Sequence, residues 1–231
     1  MYSPISLLLT YITFVLADRA SFDISEPQSS GFWSCAKSSG YSKAVIRIYE
    51  QACGVGGEVD TNFLTSYKAA RAAGITVIDG YMFPCTGTQP TGVACKSPTT
   101  QINELLSYLS SNSIDVEYLW FDIEPTSGAC NAWNLGSTAN LNLANQWISA
   151  LKATGLNWGV YANGNQWSGI FPSRSTNIAS SLPLWAVQDD GEPGVSTVDT
   201  FMGGWTTAFA KQYDLDTTLC GGSVDLDSFT S

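Results

Sequence analysis

Asp122 and Glu124 are the residues whose type and spacing most plainly suit chemistry. They stand in the run Trp120-Phe121-Asp122-Ile123-Glu124-Pro125. An apolar run of this kind reads as a strand, and residues two apart on a strand project to one face. Pro125 stops the ladder just beyond them. Two carboxylates on one inner face are costly to bury without a purpose. Paired acids supply general acid and base catalysis, the chemistry of glycosidic cleavage. The chain has no His, which excludes Ser-His-Asp and Cys-His catalysis and His-ligated metals. Carboxylates are then the acid/base groups left near neutral pH.

Other acids recur at the ends of apolar runs. Asp23 follows Ser21-Phe22, Asp79 lies within a third run, Asp189 and Asp190 close a sixth, and Asp225 and Asp227 occupy the last. Taken singly, each reads as a turn former or cap. Together they suggest one acidic pocket, with Asp23 and Asp225 favoured by their apolar flanks and Asp189 as a candidate substrate contact. Crowded carboxylates raise one another's pKa, which keeps a general acid protonated. Calcium binding is the rival use of such acids, but the Asp-x-Asn-x-Asp-Gly loop pattern is missing. No cofactor and no metal is expected.

The elements that must position these acids alternate. Apolar, β-rich runs lie at 22–24, 44–49, 76–83, 118–123, 158–162, 184–188, 208–213 and 224–226. Amphipathic stretches fall between the earlier ones, at 60–73, 99–111 and 138–154. Asp60 and Thr99 or Thr100 suit the caps, and Gly74 and Gly155 the stops. Strand–helix alternation with about eight strands predicts an α/β fold of parallel strands closed into a modified TIM-like barrel. The connections after Gly164 are rich in Gly, Ser and Pro, so the barrel should have fewer outer helices than strands. In such barrels the C-terminal strand ends form the active-site floor, which is where Asp122 and Glu124 fall.

Composition agrees with one domain. Of 231 residues, 44% are hydrophobic and 13% charged, the balance of a packed globular chain. The net charge of −10 argues against nucleic acid and anionic membranes as partners. Eight Trp and ten Tyr serve mainly to fill the core, with some free to line a sugar groove. Residues 1–17 read as a signal peptide, with cleavage after Ala17 or alternatively Ala20, leaving 18–231 as the mature domain. Six Cys behind such a leader imply disulfides. They allow 15 pairings, among which Cys85–Cys95, spanning a turn-rich loop, is the local choice. A zinc site would need CxxC spacing or His. A secreted protein follows, extracellular or in the lumen of a digestive or lysosomal compartment, and expected to be a monomer.

An ordered set of motifs resembles a known family. It comprises Phe22-Asp23-Ile24-Ser25, Trp120 to Glu124, Gly159-Val160-Tyr161, Leu182 to Trp185, Lys211-Gln212-Tyr213 and Ser223 to Leu226. The set resembles family 25 glycoside hydrolases, the Chalaropsis-type lysozymes. Gly80 to Cys85 and Cys220 to Asp225 are similar to its nematode and protist branch. The resemblance implies a flattened α/β barrel and muramidase action on bacterial peptidoglycan. The cleaved bond would be the β-1,4 link between N-acetylmuramic acid and N-acetylglucosamine. It implies Glu124 as general acid, Asp122 orienting the 2-acetamido group, Asp23 and Asp225 shaping the acidic site, and Tyr81, Tyr161 and Trp185 lining the groove. After Trp185 the chain reads Ala186-Val187-Gln188-Asp189-Asp190, where the family carries a Tyr, leaving an altered substrate preference open. A chitinase-like hydrolase and a non-catalytic carbohydrate-binding protein are the rival readings. A defence or digestive role follows by association.

Overall fold

The computed structural model describes residues 18–231; the expected leader lies outside them. All eight expected strands are present. They are β1 (Arg19–Ile24), β2 (Lys43–Glu50), β4 (Val77–Met82), β5 (Leu119–Ile123), β6 (Trp158–Asn163), β7 (Leu184–Val187), β8 (Ala210–Leu219) and β9 (Gly222–Phe229). A two-residue strand, β3 (Glu58–Val59), adds an edge to β2. Hydrogen bonding runs β1-β9-β8-β7-β6-β5-β4-β2, and β1 also pairs with β2, which closes the barrel.

The expectation of uniformly parallel strands fails at β9, which is antiparallel to both β8 and β1. The cause is local. Only Cys220 and Gly221 separate β8 from β9, and both have positive φ, 53° and 80°. A two-residue connection of that hand makes a hairpin, whereas a parallel partner needs a crossover of a dozen residues or more.

Helices cover one part of the outside. They are α1 (Ser30–Ser38), α2 (Asn62–Ala73), α3 (Pro98–Ser111), α4 (Ser137–Ala153) and the four-residue α5 (Trp167–Ile170). Between β7 and β8 there is only a 3-10 turn at Val195–Thr197. The Asp60 carboxylate accepts from the Asn62 N–H at the start of α2, and Gly74 ends that helix in the left-handed region. At α3 the cap is Ser97 rather than Thr99 or Thr100. Its hydroxyl accepts from the Thr100 N–H because Pro98 takes the first helical position.

Strand alternation divides the core in two. On β5, Leu119, Phe121 and Ile123 pack outward into the shell beneath the helices. Trp120 points inward with Val45, Trp185, Ala210 and Phe229 to fill the barrel. Gly159 on β6 is needed there, since a Cβ would overlap the Trp120 ring. At the N-terminal end of the barrel Lys43 Nζ meets Asp79 Oδ2 at 2.6 Å, and Trp120 Nε1 donates to the same oxygen at 2.8 Å. Asp79 is thus part of the floor, not of the mouth.

Three disulfides tie the loops: Cys85–Cys95, as expected, with Cys35–Cys220 and Cys53–Cys130. The last joins the loop after β2 to the loop after β5, both at the mouth. The first of the long pair fastens the β8–β9 hairpin tip to α1.

Candidate active site

The mouth of the barrel holds a depression of about 70 Å³ lined by Asp23, Tyr81, Asp122, Glu124, Tyr161, Trp185, Gln212 and Asp225. Register explains the convergence. Asp23 on β1 stands opposite Asp225 on β9, and Asp122 on β5 opposite Tyr161 on β6. The strand residues among them all leave on the inner face, and Glu124, one residue past β5, continues the parity of Asp122. Larger depressions of about 480 and 400 Å³ open outside the barrel. Neither gathers a comparable set of acids.

Depth orders the acids. Asp227 is the lowest, wholly buried, and accepts a hydrogen bond from Trp185 Nε1 at 2.9 Å. Asp23 and Asp122 lie above it at 7% and 3% exposure. Glu124 is partly exposed at the rim. Burial raises the pKa of each, and mutual repulsion adds to it. Asp122 lies well above the ordinary carboxylate range, from burial first and then the charge of Glu124. Glu124 is raised by burial and by Asp225, and lowered by its hydrogen bond with Asp122. Asp23 is raised well above that range by burial and Asp225. Asp122 and Glu124 are thus a coupled pair, both biased by burial toward the protonated form. Asp122 Oδ1 is buried with no hydrogen-bond partner.

Tyr81 and Tyr161 are pushed up by burial and by the surrounding carboxylates, so both stay phenols. Tyr161 packs edge-on against Trp185, centroids 4.6 Å apart. These rings and the acids give a site with negative charge at its centre and aromatic walls. Such a site suits an oxocarbenium-like transition state and the apolar faces of a sugar. Among the described residues, no group of three or more His, Cys, Asp or Glu is placed to hold a metal ion.

Asp189 stands apart from the other candidates. It is exposed on the loop after β7 and does not line the depression, though its charge reaches Asp225. Its neighbour Asp190 turns outward to Lys211 Nζ at 2.7 Å, which holds its carboxyl down at about 2. Gln212 lines the pocket and was not singled out from sequence. A neutral amide gives no charge signal, although strand parity from inward Ala210 places it on the inner face.

Comparison with known proteins accords with this geometry. Residues 16–213 match the family model of lysozyme-like protein 1. The chain is 33% identical to probable GH family 25 lysozyme 2 of Dictyostelium discoideum, over 96% of this chain and 97% of that protein. It is 33% identical to lysozyme-like protein 5 of Caenorhabditis elegans, over 95% of each. The crystal structure of a lysozyme from Streptomyces coelicolor superposes with a TM-score of 0.66 at 25% identity, over 92% of each chain. The chain belongs to the family 25 lysozymes and is, by that membership, a glycoside hydrolase.

Proposed function

We propose that this protein is a secreted muramidase that cleaves the β-1,4 bond between N-acetylmuramic acid and N-acetylglucosamine in bacterial peptidoglycan. The observation that carries the reading is the pairing of Asp122 and Glu124 on one inner face, one buried and one at the rim, lining one depression with Asp23 and Asp225. The glycan lies across the mouth with one ring seated over the depression. The 2-acetamido N–H donates to the unpartnered Asp122 Oδ1. Asp122 accepts as a carboxylate, and its charge favours a proton on Glu124. Glu124 then protonates the leaving oxygen as the C1–O bond breaks. The acetamido carbonyl oxygen bonds to C1, and charge from Asp122 and Asp23 stabilises the cationic ring. Glu124, now a carboxylate, takes a proton from water as the water oxygen displaces the acetamido oxygen at C1.

Three disulfides fit an oxidising compartment. Cleavage of the leader after Ala17 leaves β1 whole, whereas cleavage after Ala20 would remove Arg19 and Ala20, which pair with Phe229 and Ser228. The former is the cut proposed. No helix among the described residues is long and apolar enough to cross a membrane.

The test is Glu124→Gln. It should abolish clearing of a bacterial cell-wall suspension with an unchanged melting temperature. Retained clearing rejects Glu124 as the acid. Mass analysis of wild-type digests of peptidoglycan and of chitin fixes the bond: products ending in reducing N-acetylmuramic acid support the reading, and release from chitin alone overturns it.

A further inference from the structure

Gln212 is 1% exposed, and its side-chain amide is turned on the pocket acids and on Tyr161. Its Nε2 donates to Asp23 Oδ2 at 2.7 Å and to Asp225 Oδ2 at 3.2 Å. A carboxamide nitrogen has two hydrogens, one for each. Its Oε1 accepts from the Tyr161 hydroxyl at 2.7 Å, which fixes the orientation of the amide, because a flipped Gln212 would set its oxygen against two carboxylates. From these contacts we infer that Gln212 is a positioning residue of the hydrolytic centre, clamping Asp23 and Asp225 together through one amide and turning the Tyr161 hydroxyl away from substrate. The inference rests on the reading of this pocket as the hydrolytic centre.

Asp23 and Asp225 belong to facing strands, and no Lys or Arg lines the pocket with them. The amide bridges the two carboxyls without adding charge. Asp225 Oδ1 is held by the Asp216 N–H at 2.7 Å, so the clamp fixes its remaining oxygen. The Tyr161 proton is committed to Gln212, so Tyr161 offers the pocket only lone pairs and the ring face. It can accept from a sugar hydroxyl but not donate to one. Charge from Asp225 bears on Glu124, so the clamp also sets the field at the proposed acid.

Gln212→Glu separates this from a packing role. It keeps shape and volume, removes both donors and adds a fifth acid beside Asp23, Asp122, Glu124 and Asp225. The rate–pH profile should move to higher pH by about one unit, with kcat reduced by up to ~10²-fold and KM less affected. Carbon-13 NMR of the Asp23 and Asp225 carboxyls should show the same upward movement, independent of activity. Gln212→Met removes the donors without adding charge, so both carboxyls should move up by less. It also serves if Gln212→Glu fails to fold. Superimposable profiles and titrations in variant and wild type overturn the clamp. Wild-type protein that clears no cell wall overturns the hydrolytic reading instead, and the NMR titration still decides on Gln212.

Discussion

The barrel interior contains buried acids at both ends, and the two ends treat them differently. At the floor, Asp79 faces Lys43 Nζ at 2.6 Å and takes the Trp120 indole N–H. Lys43 also reaches Glu117 at 3.1 Å and lies 4.4 Å from the centre of the Phe229 ring. Each charge there has an opposite partner. At the mouth, Asp23, Asp122, Glu124 and Asp225 crowd one another, and the lining contains no cation. Floor acids are compensated and serve structure. Mouth acids are left repelling one another, which costs stability and keeps protons on carboxyls where a reaction needs them.

This contrast can be broken by exchanging the consequences. Asp122→Asn should lower activity by about 10²–10⁴-fold with little change in melting temperature. A matching loss of stability in urea denaturation would put Asp122 with the floor acids. Lys43→Met should do the reverse, costing about 3–5 kcal/mol by stranding Asp79 in the barrel. The double variant with Asp79→Asn should recover much of that loss; activity per folded molecule should persist. Asp23→Asn should raise stability by about 0.5–2 kcal/mol through relief of repulsion while lowering kcat. A destabilised Asp23→Asn would mean that its bond from Gln212 outweighs the crowding.

The pH dependence sharpens the same point. For Asp23 and Asp122 the folded pKa lies above the ordinary 3.8. The native state therefore binds more protons than the unfolded state just above that value, and their contribution falls as pH rises from 3.8 through the folded pKa. Asp190, held at about 2, acts oppositely: its contribution is present above 3.8 and lost as pH falls through 2. Thermal melts should show stability declining from mildly acidic toward neutral pH, and Asp122→Asn should flatten that decline. A wild-type melting temperature independent of pH in this range would remove the crowding argument. The smallest effect is expected for exposed Asp189. Its replacement by Asn should change kcat/KM only a few-fold, measured on soluble wall fragments.

Much of this was legible in the chain because period-2 patterns fix faces. Asp122 and Glu124 share a face with Trp120 whatever the surrounding topology. The eight apolar runs are long enough to read as strands. The antiparallel β9 was harder, since the notable signal is the turn Leu219-Cys220-Gly221-Gly222 rather than the strand itself. Helix α1 is only nine residues of mixed Ser, Gly and aromatic character. It forms because the Ser29 hydroxyl caps the Phe32 N–H and because Phe32, Trp33 and Ala36 have a core to enter. That is tertiary context overriding weak propensity. Asp79 and Asp122 look alike in sequence. What separates them is Lys43 across the strand ladder, a contact over 36 positions of chain that no local pattern reports. Cys35–Cys220 and Cys53–Cys130 were invisible for the same reason.

The place of β9 has a bearing on how the chain matures. It fits between β1, the first of the described strands, and β8. Until its residues leave the ribosome, β1 can pair with β2 alone, and the nascent sheet stays curled with two bare edges. Bare edges recruit foreign strands. The barrel therefore closes only once β9 has been made, and Cys35 must wait for Cys220 before its bridge can form.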